Sequence, residues 1–398
     1  MTAETETLPT ASAEDIERLG TGPVPARPYY DPAWFEQERQ AIFLRDWIVV
    51  GHVSEVPEPG SFIRRDLEFA GASLLIARGR DGVVRAFHNV CTHRGTQLVE
   101  EREGRRASFS CPYHRWTFSA DGDLQSAPDF ESFHVSKADC ALKQVALDIC
   151  AGLIFVCFAK PPRQTLRAFL GPLVAPLETL PIARATTFSE YVYEIDANWK
   201  LNYDNFQENY HLRYIHPRSG KATIGAENPF GYPARYGLHG VHRTQTIWTN
   251  PKPEIEPAQG FAFGRAAAAA AKTDLLANPF GREYFALFPN FFLLGTPLQH
   301  FSHTVYPIAA DRSRGVIRLY WVGEDDTAST RFSREYAMAS VRDIHAEDRA
   351  VIAAGQRGLS SGALDQIHFQ KNEALCRHLF VSVEAAVEAY RKERGDAA

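Results

Sequence analysis

Cys91-Thr-His93-Arg-Gly95, followed after an intervening loop by Cys111-Pro-Tyr-His114-Arg-Trp116, sets a thiol and an imidazole close together twice. Two thiolates and two imidazoles make a metal-ligand set, and their order narrows the metal. A structural zinc site accepts the same four side chains, but its usual order keeps the cysteines together and the histidines together. Here each stretch mixes the two types. A two-iron, two-sulfide cluster needs such a mixture when thiolates hold one iron and neutral imidazoles the other. Zinc is the competing reading, and a ligand-free structural role ranks below it. Gly95 reads as a tight-turn residue and Trp116 as core packing, while Arg94 either pairs with a carboxylate or carries charge near a docking surface.

The sequence around these loops reads as a small all-β unit. Apolar runs at 47–53, 61–65, 73–78 and 83–90 are separated by turn signals such as Pro57-Glu-Pro-Gly60 and Asp81-Gly82. The pattern continues through 108–118, turns at Asp121-Gly122, closes on 152–158 and stops at Pro161-Pro162. Upstream, residues 1–30 read as a mobile arm, and a helix begins where Asp31 caps and Pro32 takes the first position, running through Asp46. The expected division is an arm and capping helix over 1–40, the all-β unit over 41–160 and a larger unit over 161–398.

In that larger unit the patterns predict helical segments at 166–180 and 199–216 and a strand at 187–195. A long irregular, aromatic- and glycine-rich region follows to about residue 280, with a run of six alanines at 266–271, strong helix formers. Strands at 285–294, 301–307 and 315–322 and helices at 330–355 and 373–392 complete the order. It reads as α+β, an antiparallel sheet with helices packed on it.

A second constellation lies in Asn198-Trp-Lys-Leu-Asn-Tyr-Asp204-Asn-Phe-Gln-Glu208-Asn-Tyr-His211-Leu-Arg-Tyr-Ile-His216-Pro217. On a helix Glu208 and His211 share a face. Pro217 disfavours helical geometry at His216, so that residue sits where the chain unwinds and can turn back. A lone histidine is usually structural, but these two match two arms of the two-histidine, one-carboxylate triad of non-haem Fe(II). The carboxylate is expected from His345-Ala-Glu347-Asp348-Arg, with Asp348 the first choice and Glu347 the alternative.

The remaining composition bounds the setting. A chain of 398 residues exceeds one ordinary core, and 45% hydrophobic residues with a formal charge of −5 describe a globular protein. Basic residues are dispersed, which speaks against nucleic acid or an anionic membrane as partner. The first twenty residues lack a secretory pattern, and no run approaches roughly 18 apolar residues, so a cytoplasmic protein is expected. Of the six cysteines, Cys140, Cys150, Cys157 and Cys376 read as buried small hydrophobes.

The chain resembles the α subunits of Rieske non-haem iron oxygenases, the aromatic-ring-hydroxylating dioxygenase family with its monooxygenase and demethylase relatives. The likeness rests on the Cys-x-His-Arg-Gly and Cys-Pro-Tyr-His-x-Trp pair, the Asn-Trp-Lys opening, Glu-x2-His-x4-His with Pro217, and Glu347-Asp348 followed by Gln356-Arg-Gly-Leu. It implies a [2Fe-2S] Rieske cluster on Cys91, His93, Cys111 and His114, and a mononuclear Fe(II) on His211, His216 and Asp348. It implies a helix-grip catalytic domain, a curved antiparallel sheet wrapped on a long C-terminal helix, and a homotrimer. An NAD(P)H-dependent flavin and iron–sulfur reductase is the implied electron donor, and O2 and a small molecule the substrates. Glu208 is implied to link the cluster of one protomer to the iron of the next, with Asp204 able to share that task.

Glu208 departs from the commonest family pattern, which has aspartate there, and glutamate resembles the branch acting on quaternary ammonium compounds. Tyr232, Tyr236, Trp248, Phe261, Phe263, Phe285 and Phe291 are open to three readings: a cation–π cage, an apolar pocket for an aromatic ring, or plain core. The expected reaction is hydroxylation, or demethylation with loss of formaldehyde. The alternatives are a ring-hydroxylating dioxygenase or O-demethylase acting on an aromatic acid, and a Rieske electron carrier without oxygen chemistry, which would leave His211, His216 and Asp348 unused.

Overall fold

Short apolar runs punctuated by glycine and proline pair locally, and the computed structural model, which describes residues 8–271, 278, 280–295, 300–323 and 326–395, shows two compact units. One spans Phe43–Phe169; the other runs from Leu170 onward and takes in the N-terminal segment up to Ile42. Residues 1–7 of the expected arm, and 272–277 and 279 of the expected irregular region, lie outside the described residues.

In the first unit an antiparallel sheet has the order Ile48–His52, Leu153–Cys157, Gln144–Cys150, Val84–His88, Ala72–Arg78, Ser61–Leu67, Glu103–Arg105. The expected single run at 108–118 is two strands, Ser108–Ser110 and Thr117–Ser119, of a three-stranded sheet completed by Leu124–Ser126. The loop at 111–116 interrupts the run, so the pairing restarts beyond it. Phe62, Leu75, Phe87, Phe109, Trp116 and Phe118 form the core, and Cys91 and Cys111 are part of it.

In the second unit the strands of the main sheet are β1 (Ala185–Ile195), β2 (Arg235–His239), β3 (His242–Thr246), β4 (Glu283–Leu287), β5 (Phe291–Gly295), β6 (His300–Ala309) and β7 (Arg312–Val322). They form one antiparallel sheet in the order β1-β7-β6-β5-β4-β3-β2. The α-helices that follow β1 are α1 (Trp199–Asp204), α2 (Leu212–Ile215), α3 (Pro257–Ala270), α4 (Ala328–Ser360) and α5 (Ala374–Arg394). The fold is α+β, with long C-terminal helices against an antiparallel sheet. β2, β3 and most of α3 lie where the sequence suggested irregular chain.

One expectation needs correction, because residues 199–216 are not one helix. Asn198 caps α1 by accepting from the Lys200 amide (3.0 Å), but the chain leaves helical geometry after Asp204 and regains it only at Leu212. Side chains in between take up backbone groups and compete with the helix. Glu208 accepts from the Tyr210 and His211 amides, and Asn209 donates to the Gly231 carbonyl (2.7 Å). The expected helix at 31–46 is likewise shorter: Asp31 caps Pro32–Glu38, and the chain then widens into a π-helical turn over Arg39–Phe43.

A buried ion pair ties the N-terminal helix to α1. Glu38 accepts from Lys200 Nζ (2.5 Å), Trp199 Nε1 (2.8 Å) and Trp34 Nε1 (2.9 Å). Burial pulls the Lys200 ammonium down and Glu38 opposes it. Removing either partner would strand a buried charge, at a cost of roughly 3–5 kcal/mol. Gln356 on α4 accepts from the Asn198 amide (2.7 Å) and donates to the Tyr29 carbonyl (3.1 Å), so α4 is held to the start of α1.

Strand register sorts the side chains. Tyr191, Ile317, His303, Phe292, Ala286 and Arg243 lie in one cross-sheet row and therefore on one face. Phe285 and Phe291, paired with Leu293 and Thr304, point from the other face.

Candidate metal centres

The two Cys/His loops close in the same way. Cys91 N–H donates to the Thr96 carbonyl (2.8 Å) and Gly95 N–H returns to the Cys91 carbonyl (2.9 Å). Cys111 N–H donates to the Trp116 carbonyl (2.8 Å) and Arg115 N–H to the Cys111 carbonyl (3.1 Å). The fifth residue of each loop has a positive φ, 82° at Gly95 and 61° at Arg115. Glycine takes that conformation freely, whereas arginine does so at roughly 1–2 kcal/mol.

This shared geometry buries both sulfurs and brings the imidazoles of His93 and His114 to 4.6 Å between centroids. His93 stacks on Trp116 (4.9 Å, 11°), so Trp116 is core and also the wall that orients a candidate ligand. Burial pushes the Cys91 thiol up, and the His93 amide pulls against it. A bound cation would reverse that balance and favour the thiolate. His93 Nδ1 is buried with no protein partner, as an atom reserved for a metal would be. The donor set fits a His-ligated two-iron cluster. Arg94 is exposed and lies over the Tyr113 ring (5.4 Å).

In the second unit His211, His216 and Asp348 place ligand atoms within 4.8 Å of one another. They come from two elements: His211 and His216 flank α2 at its two ends, and Asp348 lies on α4. His216 leaves the helix at φ −113°, ψ 53°, as Pro217 demands. Its Nε2 lies 3.0 Å from Asp348 Oδ1, and His211 Nε2 lies 3.6 Å from the same oxygen.

Each ring is anchored on its other nitrogen. His211 Nδ1 meets Glu208 Oε1, and His216 Nδ1 meets Glu347 Oε2 (2.6 Å), which also accepts from the Ser219 hydroxyl (2.6 Å). A carboxylate on Nδ1 keeps the hydrogen there and leaves the Nε2 lone pair for a metal. Burial lowers the His216 pKa, but Asp348 and Glu347 outweigh it and the net shift is upward. Two imidazoles and a carboxylate facing one point fit a mononuclear divalent iron.

Glu347, the alternative ligand by sequence, lies on the far side of the His216 ring and so outside this triad. Asp204 is not gathered with it either. Asp204 is buried on α1, where its carboxylate accepts from Tyr29 Oη (3.2 Å) and Gln207 Nε2 (3.1 Å), and burial raises its pKa to about 7. The residues that sequence reasoning missed are Tyr193, His303 and His345, which are separated along the chain and meet beside the triad through strand register and α4. Their mixed polar and apolar surroundings left no periodic signal.

Residues 182–389 match the profile of the ring hydroxylating alpha subunit (catalytic domain), and residues 46–145 match the Rieske [2Fe-2S] domain. The chain belongs to the ring-hydroxylating α-subunit family: it is a Rieske oxygenase, an oxidoreductase with a [2Fe-2S] cluster and a mononuclear iron, working with a reductase, O2 and a small-molecule substrate. The carnitine monooxygenase oxygenase subunit of Escherichia coli (strain K12) is 29% identical over 343 residues, 85% of this chain and 84% of that protein. The glycine betaine monooxygenase oxygenase subunit of Pseudomonas aeruginosa (strain UCBPP-PA14) is 34% identical over 199 residues, 50% of this chain and 46% of that protein. The crystal structure of the quaternary ammonium Rieske monooxygenase CntA with L-carnitine superposes with a TM-score of 0.74 at 23% identity, over 94% of this chain and 99% of that one, a likeness of fold. Among the described residues no helix is long and apolar enough to cross a membrane.

Proposed function

We propose that Cys91, His93, Cys111 and His114 hold the cluster within a domain spanning 41–160, that His211, His216 and Asp348 hold the iron within 161–398, and that the enzyme hydroxylates an N-methyl carbon of a small quaternary ammonium compound. The observation that carries this reading is the pair of carboxylate-anchored histidines, each turning Nε2 toward the buried Asp348. Glu208, where the commonest pattern has aspartate, and the similarity to carnitine and glycine betaine monooxygenase subunits support the substrate class.

When bound, the iron supplies O2 activation and the cluster supplies electrons one at a time. O2, two electrons and two protons turn N–CH3 into N–CH2OH and water; the carbinol then loses formaldehyde and a proton to leave a tertiary amine. The chain's own residues make this reaction selective. Glu208 and Glu347 fix the tautomers of His211 and His216, and the aromatic rings of Phe206, Phe292 and Tyr193 surround the interior beside α4. Glu208 also links the cluster of a neighbouring protomer to His211 in a homotrimer. The reductase is an NAD(P)H-dependent flavin and iron–sulfur protein, and the enzyme is cytoplasmic.

The test is a screen of purified, reduced protein for O2 uptake and formaldehyde release with quaternary amines, methoxyaromatics and aromatic acids. Formaldehyde in step with O2 from the quaternary amines is expected; coupled turnover of uncharged aromatics alone would transfer the assignment to ring hydroxylation. The reduced protein should also show the low average g value of a His-ligated cluster. Stoichiometric zinc without acid-labile sulfide would end the cluster assignment.

A further inference from the structure

Beside the triad lies a chain of buried hydrogen bonds whose direction can be deduced. Ser313 Oγ donates to the Ala197 carbonyl (2.9 Å), an atom that only accepts. Its single hydrogen is thereby used, so toward Asn202 (3.1 Å) it must accept, and the Asn202 atom there is Nδ2. Asn202 Oδ1 then faces Tyr193, whose hydroxyl donates to it (2.8 Å). With that hydrogen spent, the Tyr193 oxygen accepts from His303 Nε2 (2.7 Å), so the hydrogen of the neutral ring is on Nε2. Burial holds His303 well below its ordinary pKa, in keeping with a neutral ring. Nδ1 is then a bare acceptor.

That nitrogen is buried and has no protein partner. His345, three residues before Asp348 on α4, is also buried with both ring nitrogens unpartnered. Both rings pack on the same two aromatics: His345 on Tyr193 (3.8 Å) and Phe206 (6.2 Å), His303 on Tyr193 (5.8 Å) and Phe206 (4.4 Å). Gly315 makes this possible, because a Cβ there would fall 2.1 Å from the Tyr193 ring that lies across β7. A buried acceptor left unpaired loses its solvation with nothing in return, so a ligand group that donates is favoured there and one that cannot is penalised. A carboxylate is excluded as the partner, since it has no hydrogen to give.

Resting on the quaternary-ammonium reading, we infer that His303 is a specificity-determining residue that accepts a hydrogen bond from a hydroxyl on the substrate, so the preferred substrate is an alcohol-bearing quaternary ammonium compound. His345, one turn from Asp348, is a second buried imidazole with unpartnered nitrogens packed on the same Tyr193 ring. The substrate class thus narrows from quaternary ammonium compounds in general to those with a hydroxyl within reach of the reacting N-methyl group.

The test uses L-carnitine and γ-butyrobetaine, which differ by one hydroxyl. Their dissociation constants for the anaerobic holoenzyme are measured by equilibrium dialysis, and kcat/KM by formaldehyde release. The wild type is expected to favour L-carnitine by about tenfold or more in both. His303→Phe, of similar size and without the acceptor, should bring both ratios close to one while retaining the cluster spectrum and cooperative unfolding. Tyr193→Phe, which removes the hydroxyl that holds the hydrogen on Nε2, should also shrink the ratios and serves if His303→Phe does not fold. No preference in the wild type, or a preference intact in both variants, overturns the assignment and leaves a buried water as the partner of Nδ1. If neither ammonium probe binds, the quaternary-ammonium reading falls separately. The same proteins are then given benzyl alcohol and toluene: a hydroxyl preference lost in His303→Phe upholds the acceptor role, and its absence removes it.

Discussion

Replacing Glu347 with alanine should weaken the mononuclear iron without touching a ligand. Its carboxylate takes the Nδ1 hydrogen of His216 at 2.6 Å and the Ser219 hydroxyl at 2.6 Å. Without it a nearly fully buried imidazole keeps an Nδ1–H with no acceptor, or moves the hydrogen to Nε2 and loses the lone pair that would bind metal. A charge-assisted hydrogen bond contributes roughly 1.5–3 kcal/mol. The Glu347 side chain is 35% exposed, so the lower end applies, and about tenfold in metal affinity follows. Anaerobic titration of the iron-depleted second site with Co(II), followed by its visible bands, measures this directly. Glu347→Gln should recover most of the loss, because its amide oxygen still accepts.

The pH dependence has a definite sign. In the metal-free protein burial pushes His216 down while Asp348 and Glu347 push it up and prevail, so a proton competes with the metal from above the ordinary histidine range. Affinity therefore falls as pH drops through that raised pKa, and in Glu347→Ala the fall should move to lower pH. An alanine variant within twofold of wild type, with an unshifted pH profile, would refute the reasoning.

Asp348→Ala should lose mononuclear iron and turnover while metal analysis and electron paramagnetic resonance show the cluster intact; full activity would place the third ligand elsewhere. Gly315→Ala sets a methyl group 2.1 Å from the Tyr193 ring, so destabilisation by roughly 1–3 kcal/mol is expected in the urea midpoint, and an unchanged midpoint would count against the packing described. Asp204 is raised to about 7 by burial against an unfolded value near 4, so its contribution favours the folded state at low pH and is lost as pH climbs from about 4 to about 7. Asp204→Asn should therefore gain stability relative to wild type across that window and level off above it, as urea unfolding at a series of pH values would reveal; parallel curves would oppose it.

Much of the first candidate metal site was legible because its proposed ligands are local. Each loop carries its own cysteine, histidine and turn residue, so the spacing alone places them, and the structure adds that Arg115 adopts the conformation Gly95 adopts freely. Strands Glu103–Arg105 and Leu124–Ser126 were not legible, since they are three residues long and largely polar and pair only because their neighbours do. The second site was legible as residue types, His211, His216 and a choice of acids, but not as geometry. Helical spacing suggested the Glu208–His211 contact, yet it is made by non-helical chain in which side chains take the backbone hydrogen bonds that a helix would need.

What the sequence by itself determined was the chemistry available: two soft and two imidazole ligands in paired loops, and two histidines with a carboxylate far downstream. What only the tertiary structure decided was which acid meets Nε2 and which meets Nδ1 of His216, and that Tyr193, Asn202, His303 and Ser313 join into one directed chain. Tyr193 and His303 are 110 positions apart, and Asn202 and Ser313 are 111 apart. The physical reason is that ligand identity is a property of a residue, whereas the orientation of a buried hydrogen bond depends on strand register and on one backbone carbonyl at the end of the chain, and neither exists until the sheet has closed over α1 and α4.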